Sequence, residues 1–155
     1  MASRLTVGVV SDTHGLVRPE VVEALRGSDV ILHAGDIGGN HVLQELGEIA
    51  PVIPVRGNVD GGWARLLPER RRLDLGGLSV LILHDRGLLG LDPAREGLGI
   101  VVFGHSHQPL AEKESGVLWF NPGSAGPRRF RLPVSVGRLV IEKARVRPEL
   151  IDLGV

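Results

Sequence analysis

Short apolar runs, separated by glycine, proline and polar residues, recur along the whole chain. In the first third, three such runs predict buried strands, and the two stretches between them carry apolar residues at helical spacing. The predicted strands are 5–10, 30–34 and 52–56, and the predicted helices are 19–26 and 40–49. Pro19 suits a first helical turn, and Asn40 is a candidate N-cap. This alternation predicts parallel strands joined by crossover helices.

The rest of the hydrophobic pattern is mostly typical of β-structure. Two pairs of runs flank Gly76-Gly77 and Ser115-Gly116, which predicts hairpins. The predicted strands are 70–75, 78–83, 100–103, 110–114, 117–120, 134–142 and 145–153, and we expect a short helix at 92–96. The whole pattern predicts a single α/β domain, residues 1–155, with two packed sheets and helices outside them.

Composition restricts the chemistry. Aromatic residues make up only 3% of the chain and the formal net charge is +0, so neither base stacking nor bulk positive charge favours a nucleic-acid partner. The chain has no cysteine, which excludes disulfides, zinc–thiolate sites, iron–sulfur clusters and cysteine nucleophiles. Any metal ion is therefore held by nitrogen and oxygen atoms.

The N-terminal apolar run is too short for a signal peptide, and no stretch reaches the roughly 18 apolar residues of a membrane span. We therefore expect a soluble, cytoplasmic protein with no membrane partner.

Polar side chains of metal-binding type follow the apolar strands repeatedly. In open α/β sheets, ligands collect beyond the carboxyl ends of the strands, so these residues are expected to converge. Alternate residues of an extended chain point the same way. Asp12 with His14, and His105 with His107, are therefore each expected to present two ligands to one pocket. The candidates are Asp12, His14, Asp36, Asn58, His84, His105 and His107. Neighbouring glycines that permit tight turns and close backbone approach are Gly15, Gly35, Gly57 and Gly104.

Charge favours two metal ions over one. Two divalent ions bring four positive charges, from which two aspartates and one bridging hydroxide subtract three, and the remaining positive charge attracts phosphate. Seven ligands are too many for one ordinary site and suit two ions that share Asp36, roughly 3.5–4 Å apart. The pattern thus predicts a phosphoesterase in which a metal-bridging hydroxide attacks phosphorus.

These motifs, in this order, resemble those of the calcineurin-like metallophosphoesterases, and most closely their small phosphodiesterase-like or retromer-subunit-like branch. The segments that carry the resemblance are Ser11-Asp12-Thr13-His14-Gly15, Ala34-Gly35-Asp36, Arg56-Gly57-Asn58-Val59-Asp60, His84, Gly104-His105-Ser106-His107 and Asn121-Pro122-Gly123-Ser124. They span nearly the whole chain, so the joint pattern is specific although each segment alone is weak.

The resemblance implies a four-layer αββα sandwich, with two mixed β-sheets flanked by helices. It also implies that Asn58 contacts the phosphate, and that the metal ions are manganese in the first instance, with iron, nickel or zinc as alternatives. An imidazole-rich ligand set without thiolates agrees with those metals and disfavours magnesium. The implied ligands are Asp12, His14 and His107 for the first ion, Asn58, His84 and His105 for the second, and Asp36 as the bridge.

One departure from the family pattern concerns the general acid. Many members carry a histidine after the asparagine, whereas this chain has Val59. Without that proton donor, diesters and activated leaving groups are more plausible substrates than alkyl monoesters. Asp60 either supports Asn58 or supplies a proton.

A second departure lies next to His84, where the family usually has glycine and this chain has Asp85. The carboxylate either repels substrate phosphate, adjusts His84 or points away. Arg86 is a candidate substrate-binding residue, because a guanidinium offsets that charge and holds phosphate with two hydrogen bonds.

Several other polar residues have simpler interpretations. His33 lies in a strand and is expected to pack or to support Asp36, while His41 is expected on the surface of a helix. The Asn121–Ser124 segment is either a type II turn or a loop bordering the metals. The basic run 70–72 reads as the solvated side of an edge strand.

Three functional hypotheses remain. The first is a phosphoesterase acting on a small phosphodiester or activated phosphomonoester, which is also a candidate homo-oligomer. The second is a non-catalytic protein-binding scaffold, because the fold serves that role in the retromer subunit. The third is a metal or phosphate sensor without turnover. The completeness of the seven ligands favours the enzyme.

Overall fold

A computed structural model describes residues 4–155 and arranges them in ten strands and two α-helices. The first elements are β1 (Leu5–Val10), α1 (Pro19–Leu25), β2 (Val30–His33), α2 (Asn40–Gly47) and β3 (Val52–Pro54). The later strands are β4 (Arg70–Leu75), β5 (Leu78–Leu83), β6 (Ile100–Val102), β7 (Leu110–Glu114), β8 (Val117–Asn121), β9 (Ser135–Glu142) and β10 (Arg145–Asp152). Every strand predicted from the apolar runs is present, and the strand ends differ by at most two residues.

The strands form two five-stranded sheets. The first sheet has the order β10-β9-β1-β2-β3, in which β1, β2 and β3 run parallel and β9 runs antiparallel to β1. The second has the order β4-β5-β6-β8-β7, in which β5, β6 and β8 run parallel between antiparallel edge strands. Both sheets are therefore mixed, which confirms the predicted α/β sandwich. The basic run at the start of β4 lies on an edge strand, as predicted.

An aliphatic core fills the space between the sheets. Side chains from both inner faces are buried there, among them Val7, Val9, Leu32, Val80, Ile82, Ile100, Val102, Phe120, Leu139 and Ile141. Phe120 is the one aromatic residue of this cluster. With so few aromatic residues, the core consists almost entirely of closely packed branched aliphatic side chains.

Both α-helices cover the outer face of the first sheet. Val21 and Leu25 of α1 and Val42 and Leu46 of α2 are buried in one cluster with Ile31 of β2. Asn40 is the first residue of α2 and not its cap, so that prediction is wrong: Gly39 occupies the cap position, with no side-chain hydrogen bond.

The outer face of the second sheet is covered by the connection between β5 and β6, together with the contacting rings of Phe103 and Trp119. Leu89 and Leu98 of that connection pack in one buried cluster with Phe103. The expected helix at 92–96 is wrong, because the segment forms turns. The Asp92 carboxylate accepts a hydrogen bond from the Ala94 amide, which ties the backbone into a turn.

Among residues 4–155, no helix is long and apolar enough to cross a lipid bilayer.

Candidate metal centre

The loops that follow the strands converge at one edge of the two sheets. Backbone hydrogen bonds tie them together: the Asp12 amide donates to the Gly35 carbonyl at 3.0 Å, and the Gly104 amide donates to the His84 carbonyl at 2.9 Å. The first bond joins the loops after β1 and β2, and the second joins those after β5 and β6. Between the sheets, the His105 amide donates to Oδ2 of Asp12 at 3.2 Å and Nδ1 of His84 donates to the Ala34 carbonyl at 2.8 Å, so loops from both sheets meet in a single site.

Six of the seven predicted ligands lie in two neighbouring clusters. Each cluster consists of three residues, and each residue offers one ligand atom. The three ligand atoms of a cluster all lie within 4.8 Å of one another. The first cluster is Asp12, His14 and His107, and the second cluster is Asp36, His84 and His105. The clusters adjoin, because Nε2 of His84 lies 3.9 Å from Oδ1 of Asp12.

Asn58, the seventh predicted ligand, is exposed in the loop after β3. It lines a pocket together with His84 and Asp85, which places it on the side of the second cluster. The amide of the next residue, Val59, donates to Oδ1 of Asp36 at 3.1 Å. The Asn58 loop is thus attached to the second cluster through Asp36.

The backbone at these ligands is left-handed, not extended. The φ angles are positive at five of them: Asp12 (56°), His14 (47°), Asp36 (55°), His105 (68°) and His107 (63°). Residues with a Cβ rarely adopt this conformation, and each such residue costs of order 1–3 kcal/mol. The expectation that extended backbone aims the alternate residues is therefore wrong.

The two pairs with one intervening residue also behave differently from each other. Asp12 and His14 belong to the same cluster, whereas His105 and His107 are divided between the two. Because the two clusters adjoin, both pairs still face one site, and the division of the second pair agrees with the ligand sets that the family resemblance implies.

Hydrogen bonds fix the orientation of His84. Its Nδ1 donates to the Ala34 carbonyl at 2.8 Å, which leaves Nε2 facing the Asp36 carboxylate at 3.1 Å. Burial alone lowers the pKa of His84, but the hydrogen bond with Asp36 and the charge of Asp12 raise it above the ordinary value. A buried imidazole held by a backbone carbonyl is the usual arrangement of a metal-binding histidine.

The Asp12 carboxylate is completely buried. Its Oδ2 accepts hydrogen bonds from the Ser11 hydroxyl at 2.6 Å and from the His105 amide at 3.2 Å. Burial favours the neutral acid, but the approach of His107, the Ser11 hydroxyl and the charge of His84 together lower the pKa of Asp12. Asp12 is therefore a buried carboxylate whose surroundings favour the charged form.

Unpartnered atoms indicate what this site holds. Oδ1 of Asp12 and Nε2 of His14 are buried and have no hydrogen-bond partner, although Nε2 of His107 lies 3.2 Å from that oxygen. Such atoms are costly unless a further group satisfies them. A divalent transition-metal ion fits, because the donors are imidazole nitrogens and carboxylate oxygens without thiolates.

Two glycines are required by the close approach of the loops. A Cβ at Gly57 would overlap the carboxylate and the amide nitrogen of Asp36, and a Cβ at Gly104 would overlap Ser11 and Asp12. Close backbone approach was predicted at both positions. It lets ligands from different strands share one small volume.

His33 supports two of the loops, in a way that the sequence did not specify. The Gly35 amide donates to its Nδ1 at 3.1 Å, and its Nε2 lies 3.0 Å from the Thr13 hydroxyl, which itself donates to the Ile37 carbonyl. These bonds place the ring proton on Nε2. Burial lowers the pKa of His33 to about 4, so the ring is neutral.

The Asp60 carboxylate joins two loops. It accepts hydrogen bonds from the amides of Ile37, Gly38 and Gly57 at 2.9–3.0 Å. These contacts hold the Asp36 loop against the Asn58 loop, which favours the supporting role over proton donation.

Asp85 and Arg86 point in different directions. Oδ1 of Asp85 accepts a hydrogen bond from the Gly87 amide at 2.8 Å, and Oδ2 lies 3.8 Å from Nε2 of His105. The Arg86 guanidinium lies 4.9 Å from the centre of the Phe103 ring. Because this stacking gives the guanidinium another partner, the substrate-binding role of Arg86 stays a prediction without a supporting contact.

The Asn121–Ser124 segment supports the first cluster from behind. The Asn121 amide group donates to the Gly104 carbonyl at 3.1 Å, and the Ser124 hydroxyl donates to the Asp12 carbonyl at 3.1 Å. Both residues are buried. The segment therefore borders the site, and the positive φ of Gly123 (82°) after Pro122 is also typical of the type II turn. His41, by contrast, is exposed on α2, as expected, and contacts the Gly15 carbonyl.

Comparison with known proteins finds relatives that are similar in sequence and in fold. The profile of the calcineurin-like phosphoesterase superfamily domain matches residues 5–144. A probable metallophosphoesterase of Methanothermobacter thermautotrophicus is 34% identical over 97% of this chain and 94% of that protein. A phosphodiesterase of Methanocaldococcus jannaschii is 26% identical over 96% of this chain and 100% of that protein. Vacuolar protein sorting 29 from Cryptosporidium parvum shares the fold, with a TM-score of 0.77 at 17% identity over 94% of this chain and 96% of that one.

Proposed function

The chain belongs to the calcineurin-like phosphoesterase superfamily, and from this premise we propose that it is a dinuclear metal-dependent phosphodiesterase. The family resemblance in the motifs is thereby confirmed. The proposed substrate is a small phosphodiester or an activated phosphomonoester. The phosphodiesterase of M. jannaschii, which aligns over its full length, supports the diester as the first choice.

One observation carries the proposal: two adjoining clusters of aspartate and histidine contain buried, unpartnered ligand atoms. Asp12, His14 and His107 would hold one ion, while Asp36, His84 and His105 would hold the other with Asn58. Bound divalent ions supply an activated water and positive charge for the phosphoryl oxygens. Manganese is the first candidate, and iron, nickel and zinc are the alternatives.

The chain's own residues orient the reaction. Asp36 lies at 3.1 Å from His84 and receives the Val59 amide, so the second cluster and the Asn58 loop are positioned as one unit. Asn58 is exposed beside this cluster, where its amide group can donate to a phosphoryl oxygen. Val59 offers no proton, and the Asp60 carboxylate is engaged by backbone amides. A substrate whose leaving group departs without a proton is therefore favoured.

The test is hydrolysis combined with a metal count. Purified protein loaded with Mn²⁺ is expected to hydrolyse bis-(p-nitrophenyl) phosphate and to bind two ions per chain by elemental analysis. Asp36→Asn is expected to lower the rate at least hundredfold and to reduce the metal content. Asp152→Asn, an exposed aspartate at the end of β10, is the matched control and is expected to behave like the wild type.

Two other results would select the alternatives. Loss of bound metal together with absence of hydrolysis, across Mn²⁺, Ni²⁺ and Zn²⁺ and a panel of nucleotide diesters, would favour a protein-binding scaffold. The structural similarity to vacuolar protein sorting 29 is the observation behind that alternative. Two bound ions without any turnover would favour a sensor.

A further inference from the structure

We propose that a side pocket next to the second cluster binds an uncharged, apolar ester group of the substrate, about one aromatic ring in size. This inference rests on the proposed phosphoesterase function and adds a substrate class to it. The side pocket is bounded on the cluster side by Asn58, His84 and Asp85, and its far walls include Leu83 and Leu88.

The position of the side pocket connects it with the reaction. His84 belongs to the second cluster and also lines the pocket, and Asn58 lines the pocket beside it. A phosphate bound beside these residues would carry its ester substituents next to the pocket. One ester substituent can therefore enter the pocket while the phosphate stays at the clusters.

The size of the side pocket limits its occupant. Its volume is about 200 Å³. An apolar cavity of about 150 Å³ is large enough for benzene. The pocket therefore suits a single ring with a small substituent and is too small for a complete nucleoside.

Leucine side chains give the side pocket its apolar surface. Leu83 is buried at the end of β5, whereas the Leu88 side chain is 72% exposed. Leu88 lies on a 3₁₀ turn that Arg70 fixes, because the guanidinium donates to the Leu88 carbonyl at 2.6 Å and to the Leu89 carbonyl at 2.9 Å. An exposed leucine on a rigid support gains by covering an apolar ligand group.

The charges around the side pocket select against a second anion. Arg56 pairs with Glu69 at 2.8 Å, and the remaining lining charges, Arg70 and Asp85, are of opposite sign. The Arg70 guanidinium is already occupied by two backbone carbonyls. The two arginines and the two acidic residues of the lining cancel in charge, and both guanidiniums already donate to protein acceptors, so the pocket favours a neutral ester group over a terminal phosphate.

The test uses two non-hydrolysable probes that differ only in their apolar group. Calorimetric titration of Mn²⁺-loaded protein is expected to show phenylphosphonate binding at least tenfold more tightly than methylphosphonate. Leu88→Ala is expected to reduce this preference at least threefold, and Leu88→Met, which keeps an apolar side chain, is expected to restore most of it. Leu66→Ala is the matched control, because Leu66 is 89% exposed and lies outside the pocket lining.

These measurements distinguish failure of the pocket assignment from failure of the proposed phosphodiesterase function. Equal affinity for the two probes, or a preference that survives Leu88→Ala unchanged, would overturn the pocket assignment even if the protein hydrolyses diesters. If the wild type hydrolyses no ester but still prefers phenylphosphonate in a Leu88-dependent way, the proposed function fails and the pocket stands. In an active enzyme, Leu88→Ala is expected to raise KM for bis-(p-nitrophenyl) phosphate more than it lowers kcat.

Discussion

At the residue scale, the site depends on side chains that hold ligands as much as on the ligands themselves. Asp12 is held by Ser11 and the His105 amide, and His84 is held by the Ala34 carbonyl. Hydrogen bonds of this kind fix which ring nitrogen or carboxylate oxygen faces the metal. Substituting a residue that contacts a ligand therefore tests how the ligand is oriented, without removing the ligand itself.

Asp85, the residue after His84, is expected to orient His105. Its Oδ2 lies 3.8 Å from Nε2 of His105, while Nδ1 of the same ring lies 3.3 Å from Nε2 of His84. A carboxylate behind a metal-binding imidazole raises its basicity, and its loss typically lowers metal affinity 10–100-fold. We expect Asp85→Asn to weaken binding of the second Mn²⁺ by about tenfold, measured by calorimetry.

The control for Asp85 is Asp92→Asn. Asp92 also accepts a backbone amide in a turn, from Ala94, but it lies outside both clusters. If both variants bind two ions as the wild type does, Asp85 only shapes the local turn.

His33 predicts a loss of stability in acid. In the folded protein the pKa of His33 is about 4. Burial and the charge of His84 lower this pKa, and together they outweigh the charges of Asp12, Asp60 and Asp36, which raise it. The unfolded pKa is near 6.5, so the unfolded chain binds a proton first and the contribution is fully present above pH 6.5. It is lost as the pH falls from 6.5 towards 4, by up to roughly 3 kcal/mol.

The measurement is the free energy of unfolding between pH 7 and pH 4, with EDTA present. His33→Asn, which keeps one donor and one acceptor, is expected to lose less stability over this range than the wild type does. His41→Asn replaces an exposed histidine and is expected to keep the wild-type slope. Equal slopes for all three proteins would mean that His33 does not govern acid stability.

At the element scale, the strands were predictable and the loops were not. Apolar runs bounded by glycine, proline and polar residues identify strands wherever one or both faces are buried, as in β1 and β5. Convergence of the ligands followed from the rule that strand ends meet at one edge of a sheet. The left-handed conformations of Asp12 and His105 left no trace in composition, because tertiary hydrogen bonds impose them.

The support of the site was equally hidden in the sequence. His33 and Thr13 are twenty residues apart and come together only when β1 and β2 pair. His33 gave only a weak signal as a histidine within a strand, and Ser11 was identified only as part of the motif around Asp12, without its hydrogen bond to that carboxylate. The expected helix at 92–96 failed because Asp92 stabilises a turn locally.

Loop packing at the strand ends is expected to be intolerant of a single methyl group. Gly57→Ala would place a Cβ against the carboxylate and backbone of Asp36, so we expect lower stability and loss of metal at the second cluster. Gly47→Ala, in α2 with no neighbouring atom within 4 Å, is the control and is expected to stabilise the protein by roughly 0.5–1 kcal/mol. Chemical denaturation and elemental analysis measure both effects. A Gly57→Ala protein with normal stability and metal content would mean that the Asp36 and Asn58 loops can move apart to make room for a methyl group.

At the scale of the whole molecule, the core and the site are separate. The aliphatic cluster between the sheets contains none of the seven ligands, so we expect the core to form without the metal. The ligands sit on strained loops from both sheets, so bound ions would cross-link the sheets at one edge. Metal should therefore add stability to a protein that is already folded.

Removal of metal is expected to lower the melting temperature while secondary structure is retained. At Mn²⁺ concentrations about 100-fold above Kd, binding to the native state contributes about 2.7 kcal/mol per site, which corresponds to a shift of roughly 5–10 °C for a chain of this size. Calorimetry with Mn²⁺ and with EDTA measures the shift, and far-ultraviolet circular dichroism checks that the EDTA-treated protein keeps its strands. Asp12→Asn, which removes a buried ligand charge from the first cluster, is expected to abolish the part of the shift that the first ion contributes. An undiminished shift in Asp12→Asn would mean that the stabilising ions bind elsewhere.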